Sequence, residues 1–444
     1  MDTRITPTIA ALLAFTASIG EAQGHAGAPP DTLDMILHDE APEGLSLEAT
    51  FGLLLSDDTV SWRWLCHETI ARPGAFLTPS YTRNASGVLL ATIGVLQQGQ
   101  AGDESLYRST DACDWAPVVG LTNDVVSAVT FDPTDENVAL AGTAGVTVGA
   151  LNGIHRSSDG GATFSSTSAS DLESRIFRTI EISPAGSDAG GSTGWATSSW
   201  FGPLGAWIHR STDGGITWEE HEQSLTDGDE TQILLDVAAV HSTDPATAWI
   251  RVDGQLADRL MMTTDGGATL VELFRVESDI RDVLREPDGT LWVATVDAGL
   301  YRAADGTTFT EVADAPLVNA MAHDARGVHL ALSGGINDDV MVRTQDGASF
   351  ETTMVWGDLV GPVECPEDSD AWTFCDPNWE IVEVALGRVG DDDDSAGDDD
   401  DSADPDAEGC CPEGANISGA DTVGPALFLT FVASLRRRRP RPIS

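Results

Sequence analysis

Short stretches in which apolar and polar residues alternate recur along most of this chain, separated by turn-forming residues. One such stretch is Trp207–Arg210, and Ser211–Trp218 follows it directly with the sequence Ser-Thr-Asp-Gly-Gly-Ile-Thr-Trp. Alternation with a period of two is typical of strands, and an aspartate followed by two glycines is typical of a tight turn. The unit is therefore predicted to be a strand, a turn and a second strand, with Asp213 accepting backbone N–H groups and Trp218 covering the turn.

Variants of this turn recur at regular intervals along the sequence, and we call them the repeated turns. Seven are recognisable, 40 to 54 residues apart, and their aspartates are Asp58, Asp111, Asp159, Asp213, Asp265, Asp305 and Asp346. Predicted strands lie between them, and no amphipathic helix of useful length does. A constant period of this length indicates an architecture built from repeated units.

The repeated turns resemble the BNR or Asp-box repeat of the sialidase-like and sortilin-like propeller superfamily. The resemblance covers residues 45–388. It implies an all-β chain folded as a β-propeller. In that family the box lies between the third and fourth strands of a blade, at the rim, and its role is structural. The seven aspartates are therefore expected to stabilise turns and to take no part in catalysis.

Seven four-stranded blades are the simplest prediction, and the two ends of the repeat region decide how the ring closes. Residues 45–55 predict strands, but no convincing first strand precedes them. Two segments near the C-terminus, 371–374 and 379–386, predict strands that would complete the first blade and protect its edges. Eight blades stay possible if residues 358–387 form a degenerate blade of their own.

The flanking segments predict export. Residues 1–26 have the character of a secretory signal and residues 27–44 of a leader. The aspartate run within residues 389–408 predicts a disordered acidic linker. In residues 409–444, the pair Cys410-Cys411 precedes a short apolar stretch, predicted to be a transmembrane helix, and an arginine cluster.

The order of these C-terminal elements resembles the MYXO-CTERM sorting signal of myxobacteria and their relatives. That resemblance implies a sorting protease that cuts near Cys410 and Cys411. The expected location is the cell surface or outer membrane of a Gram-negative bacterium. An ordinary membrane anchor is the alternative.

The chain carries a formal net charge of −49 and contains no lysine. Nucleic acid is therefore excluded as a partner, because binding to phosphates requires a basic face. A solvated acidic exterior is the simplest interpretation, and no cofactor is expected. Calcium binding by the acidic surface is the alternative.

Six cysteines are present, and none has the paired spacing of a zinc site. In an exported protein they are better interpreted as disulfide partners. Cys365 and Cys375 flank a short loop and are the favoured pair. Cys66 and Cys113 lie on adjacent predicted blades and form a possible second pair.

The resemblance to sialidases raises the question of glycoside hydrolysis, which in that family needs three arginines, a tyrosine nucleophile with a glutamate partner, and an aspartate. The chain has three tyrosines, and Tyr107 and Tyr301 occupy the same structural position before a repeated turn, which leaves Tyr81. Arginines and histidines recur at that position too, namely Arg108, Arg156, Arg210, Arg302, Arg343, His155 and His209. We interpret them as repeat features, so no catalytic residue is assigned and the chain is not expected to be an enzyme.

The connection from Trp200 to Trp207 is the most apolar in the chain, and Trp200, Phe201 and Trp207 are the candidate binding residues. Stacking of sugar rings and packing between blades are both open interpretations of these aromatic residues. The expected function is a surface-displayed binding or scaffold module for an unknown glycan or protein. A glycan-acting hydrolase with a non-standard site and a purely structural surface protein are the alternatives.

Overall fold

Seven β-sheets account for nearly all the regular structure of the protein. The computed structural model describes residues 31–37, 44–70, 79–93, 105–121, 125–145, 152–167, 169, 172, 175–185, 191–200, 205–225, 234–254, 256–333 and 339–388. The protein is a seven-bladed β-propeller, as predicted, and the alternative of eight blades is wrong. Six sheets have four strands, and the sheet that contains the N-terminal strand has five.

The blades are numbered in chain order. Blade 1 contains β1 (Thr32–Leu37), β2 (Leu45–Ala49), β3 (Gly52–Ser56) and β4 (Trp62–Cys66). Blade 2 contains β5 (Ser80–Arg83), β6 (Leu89–Thr92), β7 (Leu106–Ser109) and β8 (Ala116–Pro117). Blade 3 contains β9 (Val126–Asp132), β10 (Asp135–Thr143), β11 (Ile154–Ser157) and β12 (Ser165–Ser166). Blade 4 contains β13 (Arg175–Ser183), β14 (Thr193–Trp200), β15 (Ala206–Ser211) and β16 (Glu219–Gln223). Blade 5 contains β17 (Leu234–Val240), β18 (Ala248–Asp253), β19 (Asp258–Thr263) and β20 (Val271–Val276). Blade 6 contains β21 (Ile280–Arg285), β22 (Leu291–Thr295), β23 (Leu300–Ala303) and β24 (Thr310–Glu311). Blade 7 contains β25 (Val318–Asp324), β26 (Gly327–Leu332), β27 (Asp339–Thr344) and β28 (Glu351–Val355).

Burial changes systematically from the second strand of a blade to the fourth. Every residue of β6 and β22 is buried, because a second strand is covered on both faces by the neighbouring blades. The fourth strands β8, β12 and β24 are only two residues long and exposed. This gradient explains why the second strands are rich in Trp, Val, Leu and Ala.

Each repeated turn joins the third and fourth strands of one blade, as the resemblance implied. In blade 4 the Asp213 carboxylate accepts the N–H groups of Ile216 and Thr217 at 3.1 and 2.9 Å. Gly214 and Gly215 have φ values of 70° and 86°, which residues with a side chain rarely adopt. The Trp218 indole N–H donates to the Gly215 carbonyl at 3.1 Å, so the tryptophan covers the turn as predicted.

The N-terminal end corrects one expectation. The segment predicted to be a leader contains β1, which pairs antiparallel with β2 and supplies the missing first strand of blade 1. The alternation in β1 is weak because a bulge at Leu33 shifts the register between Thr32 and Asp34. Blade 1 is therefore complete without any strand from the C-terminus.

The C-terminal end corrects a second expectation. The predicted strands at 371–374 and 379–386 are the helices α1 (Asp370–Cys375) and α2 (Trp379–Ala385). Ser369 accepts the backbone N–H of Trp372 at 3.2 Å and caps the start of α1. Ala371 and Cys375, four residues apart, are its buried positions, which is a helical period. Short turns of 3-10 helix lie at His67–Thr69, Trp356–Asp358 and Asp376–Asn378.

A C-terminal segment, residues 356–388, continues from blade 7 onto blades 1 and 2, and we call it the strap. Its strand β29 (Leu359–Pro362) pairs parallel with β4 as a fifth, outer strand of blade 1. Beyond β29 the strap reaches blade 2, where the Ala371 N–H donates to the Cys113 carbonyl at 2.9 Å. Among the described residues, no helix has the length and apolar character needed to cross a membrane. The signal, linker and tail predictions lie outside the described residues.

Two disulfides hold the strap, and their partners differ from the predicted pairing. Cys66 is bonded to Cys375, and Cys113 is bonded to Cys365. All four residues were expected to form disulfides, but the predicted pairs Cys365–Cys375 and Cys66–Cys113 are wrong. The physical reason is that one cysteine of the strap faces blade 1 and the other faces blade 2.

Hydrogen bonds near the axis join each blade to the next. The Thr179 hydroxyl accepts the Val237 N–H at 2.7 Å between blades 4 and 5, and the Asp258 carboxylate accepts the Ile280 N–H at 2.8 Å between blades 5 and 6. Equivalent bonds at the other five interfaces are Glu48–Tyr81, Ser105–Val126, Ser127–Phe177, Asp282–Met321 and Asn319–Thr32. Polar side chains on or beside the inner strands therefore connect neighbouring blades by hydrogen bonds.

Candidate functional site

The candidate aromatic residues lie at the edge of blade 4 opposite its repeated turn. Trp200 ends β14 with 48% of its surface exposed, whereas Trp207, on β15, is only 7% exposed. Their rings meet edge to face with centroids 6.4 Å apart. Phe201 lies outside the described residues. The structure thus gives the two tryptophans different roles, one presented to solvent and one supporting it.

An ion pair between the first and the fourth strand of blade 4 lies beside the two tryptophans. The Arg175 guanidinium lies 4.1 Å from the centre of the Trp207 ring, as in a cation–π contact. It also pairs with the Glu220 carboxylate of β16 at 2.5 Å. Gly205 allows the Trp207 ring to fold back, since a Cβ there would approach the ring to 2.1 Å. We call Arg175, Trp200, Trp207 and Glu220 the blade 4 patch.

A second feature lies at the axis, where three carboxylates from different blades influence one another. Asp34, Glu181 and Asp282 belong to the first strands of blades 1, 4 and 6. The negative charge of Asp34 raises the pKa of both other groups. Blades that are not neighbours face each other only across the axis, so these side chains point into the central opening.

Burial and mutual repulsion change the acidity of this group. The pKa of Glu181 is raised to about 7, first by burial and then by the charges of Asp34 and Asp282. The pKa of Asp282 is also raised to about 7, by burial and by Asp34, although two backbone N–H groups act in the opposite direction. Carboxyl groups with such values can exchange a proton near neutral pH. Neither residue was a candidate from sequence, although Glu181 stands between two isoleucines, Ile180 and Ile182.

A buried ion network lies beside the central opening. The Asp236 carboxylate accepts from Arg178 at 2.9 and 3.3 Å and also pairs with Arg251. Burial raises the pKa of Asp236, but the two guanidinium groups outweigh burial and hold it below its usual value. Because Arg178 lies on blade 4 and Arg251 lies on blade 5, the network joins the two blades. Both guanidinium groups are paired with the Asp236 carboxylate.

Two of the arginines before the repeated turns connect neighbouring blades. Arg108 Nε donates to the Gly160 carbonyl at 2.8 Å, and Arg156 Nε donates to the Gly214 carbonyl at 2.7 Å. Each bond links one blade to the repeated turn of the next. Arg343, at the same position in blade 7, instead pairs with Glu351 of its own blade at 2.7 Å.

Tyr81 and His209 are buried and unsuited to catalysis at neutral pH. Burial and then the charge of Glu48 raise the pKa of Tyr81 well above its usual value, and its ring packs against Trp115. Burial lowers the pKa of His209 to about 4, and its Nε2 lies 2.8 Å from the Ser198 hydroxyl. Tyr81 therefore does not serve as the nucleophile that a sialidase mechanism requires.

The seven turn aspartates are each engaged by their own turn. Every one accepts at least one backbone N–H within the turn, as the contacts of Asp58, Asp111, Asp159, Asp213, Asp265, Asp305 and Asp346 show. Hydrogen bonds from the Thr269 hydroxyl and N–H lower the pKa of Asp265 to about 2. Within the described ranges, no group of three or more His, Cys, Asp or Glu side chains is arranged to hold a metal ion.

The fold is similar to several solved propellers at low sequence identity. YCF48 from Cyanidioschyzon merolae is 13% identical with a TM-score of 0.49, over 72% of this chain and 97% of that one. Prolyl oligopeptidase B from Galerina marginata is 10% identical with a TM-score of 0.49, over 74% of this chain and 51% of that one. The extracellular domain of BT4673 from B. thetaiotaomicron is 12% identical with a TM-score of 0.44, over 68% of this chain and 37% of that one. No protein-family model and no curated protein matches the sequence. The likeness concerns the fold alone.

Proposed function

We propose that this chain is an exported Asp-box propeller, displayed at the cell surface, that binds glycans through the blade 4 patch without catalysing a reaction. The half-exposed indole of Trp200 is the observation that carries the proposal. A rigid aromatic face buries the C–H face of a pyranose ring at a low entropic cost. Trp207 holds Trp200 in place, which reduces that cost further.

The ion pair beside Trp200 supplies the polar half of a sugar site. Arg175 offers N–H donors and Glu220 offers carboxylate acceptors, and hydroxyl groups can bond to both. Glu220 keeps about half of its side chain exposed, so its oxygens face solvent next to the aromatic pair. Apolar stacking combined with a few convergent polar groups is the usual composition of a small-ligand site.

Export and surface display rest on the sequence of the two termini. The two disulfides support this part of the proposal, because disulfides persist in oxidising compartments. Cleavage near Cys410 and Cys411 by a sorting protease predicts that surface-derived protein lacks the Arg436–Arg439 cluster. Mass spectrometry of such protein tests this, and recovery of the intact C-terminus would contradict it.

Calcium binding by the acidic exterior is a separate proposal, tested by calcium titration.

The binding experiment compares the full chain with two tryptophan variants on a glycan array, followed by calorimetry. We expect Trp200→Ala to lose at least about tenfold in affinity, because burial of a large apolar side chain contributes on the order of 1.5–3 kcal/mol and about 1.4 kcal/mol corresponds to tenfold. Trp372→Ala is the matched control, since Trp372 is 42% exposed but lies on α1 of the strap. Equal loss in both variants, or glycan binding unaffected by Trp200→Ala, would refute the blade 4 patch as the site. Binding of a protein instead of a glycan at this patch would change the ligand class.

One observation favours a second candidate function, a glycan-acting hydrolase. Glu181 and Asp282 in the central opening have pKa values of about 7, suited to a general acid. The test is turnover of a panel of glycosides by the full chain and by Glu181→Gln and Asp282→Asn. Turnover that both substitutions abolish would establish the hydrolase and refute the non-catalytic proposal. A chain without binding or turnover would indicate a purely structural surface protein.

A further inference from the structure

The cross-strand register of blade 4 places a further glutamate, Glu222, on the face of the sheet that carries the blade 4 patch. Trp207 on β15 lies directly opposite Glu222 on β16, and it also lies opposite Ser198 on β14. Directly opposite residues of an antiparallel pair point to the same face, with Cβ atoms about 4.5–5.5 Å apart. Trp200 follows Ser198 by two positions and therefore shares this face. Glu222 is thus the neighbour of Trp207 on the outer strand.

The two glutamates on this face of β16 differ in their partners. Glu220 pairs with Arg175. Glu222 is exposed, and it makes no hydrogen bond or ion pair with any other residue that the structure describes. One carboxylate of the face is therefore compensated, and the other is available to a ligand that already contacts the tryptophans.

Arg175 and His209 are the basic side chains on this face among the described residues of blade 4, and neither offers a free positive charge. Arg175 pairs with Glu220 and also lies against the ring of Trp207. His209 lies opposite Glu220, and burial lowers its pKa to about 4, so its imidazole is neutral at neutral pH. Because the Arg175–Glu220 pair carries no net charge, the exposed carboxylate of Glu222 makes the patch negative.

The sequence around the patch adds acidic residues and neither arginine nor lysine. Residues 157–174, which lead into β13, contain Asp171 and Glu173 but no arginine or lysine. Residues 211–250, which include β16, contain no arginine or lysine either. Because the chain carries a net charge of −49, it repels an anionic sugar and attracts a cationic one.

We propose that the blade 4 patch selects cationic amino sugars, that is, hexosamines with a free ammonium group, whose ring stacks on Trp200 and whose ammonium group pairs with Glu222. This inference rests on the proposed binding of glycans at the same patch. An ammonium group donates three N–H groups, and the opposite charges strengthen its hydrogen bonds to a carboxylate. An N-acetylated sugar lacks this positive charge, and a uronic acid carries the opposite one.

The size of the selectivity follows from the exposure of Glu222. An ion pair between exposed groups contributes little, because water and salt screen it, so we expect a preference of about two- to fivefold in affinity. Stacking on Trp200 is available to charged and neutral sugars alike. Glu222 is therefore a specificity-determining residue, whereas Trp200 supplies binding that all the sugars share.

The ligand class is tested with three oligosaccharides of equal length and linkage that carry glucosamine, N-acetylglucosamine or glucose at one position. The measurement is calorimetry on the full chain at about pH 6, below the usual pKa of an amine. The glucosamine probe should bind about two- to fivefold more tightly than the other two at about 0.01 M salt, and the preference should disappear at about 1 M salt, where the Debye length is about 3 Å. Equal binding at low salt, or tighter binding of the N-acetylated probe, would refute the proposal.

Two substitutions on β16 locate the ammonium group. Glu222→Gln should abolish the preference for the glucosamine probe and leave binding of the glucose probe unchanged. Glu219→Gln is the matched control, because Glu219 is also exposed on β16 but lies opposite Arg210, on the other face of the sheet. Both substitutions remove one negative charge. An equal effect would mean that the acidic exterior as a whole attracts the amine, and this would overturn the assignment to Glu222.

Reversal of the charge provides an independent check. Glu222→Arg should weaken binding of the glucosamine probe and strengthen binding of a probe with glucuronic acid at the same position by about two- to fivefold. A folded Glu222→Arg variant, verified by circular dichroism, that keeps the original preference for glucosamine would contradict the proposal.

Trp200→Ala separates a failure of this inference from a failure of glycan binding itself. We expect it to weaken binding of all three probes, whereas Glu222→Gln affects only the charged one. Loss of all three probes in Trp200→Ala, together with no effect of Glu222→Gln, would keep the patch as a glycan site and refute its selectivity. Failure of all three probes to bind the natural protein would refute the amino sugar proposal, and the glycan array then decides the broader one.

Discussion

The Asp282 carboxylate accepts the backbone N–H of Met321 at 2.6 Å, across the interface between blades 6 and 7. Its second oxygen accepts the N–H of Val283 at 2.7 Å. Despite both bonds its pKa is raised to about 7, because burial and the charge of Asp34 outweigh them. Asp282 thus connects two blades and also belongs to a group of carboxylates that repel one another. The stability of the propeller is therefore expected to depend on pH.

The first prediction concerns Glu181→Gln. In the unfolded chain Glu181 loses its proton near pH 4.3, whereas in the folded protein it does so near pH 7. Between these values the folded state binds more protons, so the contribution of this group to stability falls as pH rises. We expect the variant to be about 1–2 kcal/mol more stable than the natural protein at pH 8, allowing for solvent in the opening, and nearly equal at pH 4. Urea unfolding at both pH values measures this.

Glu219→Gln is the control for this experiment, because Glu219 is exposed on β16. It should change stability by less than about 0.5 kcal/mol at either pH. A Glu181→Gln variant that is destabilised at pH 8 would mean that the carboxylate is paired favourably and does not repel its neighbours.

The second prediction concerns Asp282→Ala, which removes the acceptor of two backbone N–H groups. An unsatisfied buried donor costs about 1–3 kcal/mol, so the variant should be less stable at pH 5. The loss should be smaller at pH 8, because the substitution there also removes a charge that burial and Asp34 disfavour in the folded state. Arg281→Ala is the control, since this neighbour on β21 is exposed. Hydrogen exchange of the Met321 amide reports the interface directly, and an unchanged exchange rate would argue against the bond.

The third prediction concerns the disulfides. Peptide mapping without reduction should recover Cys66 linked to Cys375 and Cys113 linked to Cys365. Cys66→Ser combined with Cys375→Ser opens a loop of 309 residues in sequence separation and should cost about 2–5 kcal/mol of stability. The opposite pairing, Cys365 with Cys375, would refute the arrangement of the strap.

The fourth prediction concerns the repeated turn of blade 4. Asp213→Ala removes the acceptor of the Ile216 and Thr217 N–H groups and should destabilise the protein by about 0.5–2 kcal/mol, as loss of a comparable cap does. Ile216→Ala is the control, because this side chain is 56% exposed in the same turn. Thermal unfolding of both variants separates the two effects. A larger loss in the control would mean that apolar contacts, and not the aspartate, stabilise the turn.

Local regularities in the sequence were enough to predict the repeat. The spacing of seven aspartates favoured seven blades, since each turn needs only residues within its own eight positions, but it left eight blades open until the structure of the C-terminal segment was known. Gly214, Gly215 and Trp218 follow from the same local geometry. The contacts of Trp200 and Trp207 were not predictable in detail, because they depend on Arg175 and Glu220 from other strands of blade 4.

Contacts between residues far apart in sequence were decided by the tertiary structure. Cys365 and Cys375 are ten positions apart, yet each bonds to a residue more than 250 positions away, because the strap passes between two blades. The grouping of Asp34, Glu181 and Asp282 likewise needs a closed ring, which brings the first strands of blades 1, 4 and 6 around one axis. The sequence by itself determined the blade and its turn, because these depend on short-range hydrogen bonds and backbone conformation. Ring closure, disulfide partners and the acidity of the central carboxylates depend on burial and distance in three dimensions, and only the folded ring defines those.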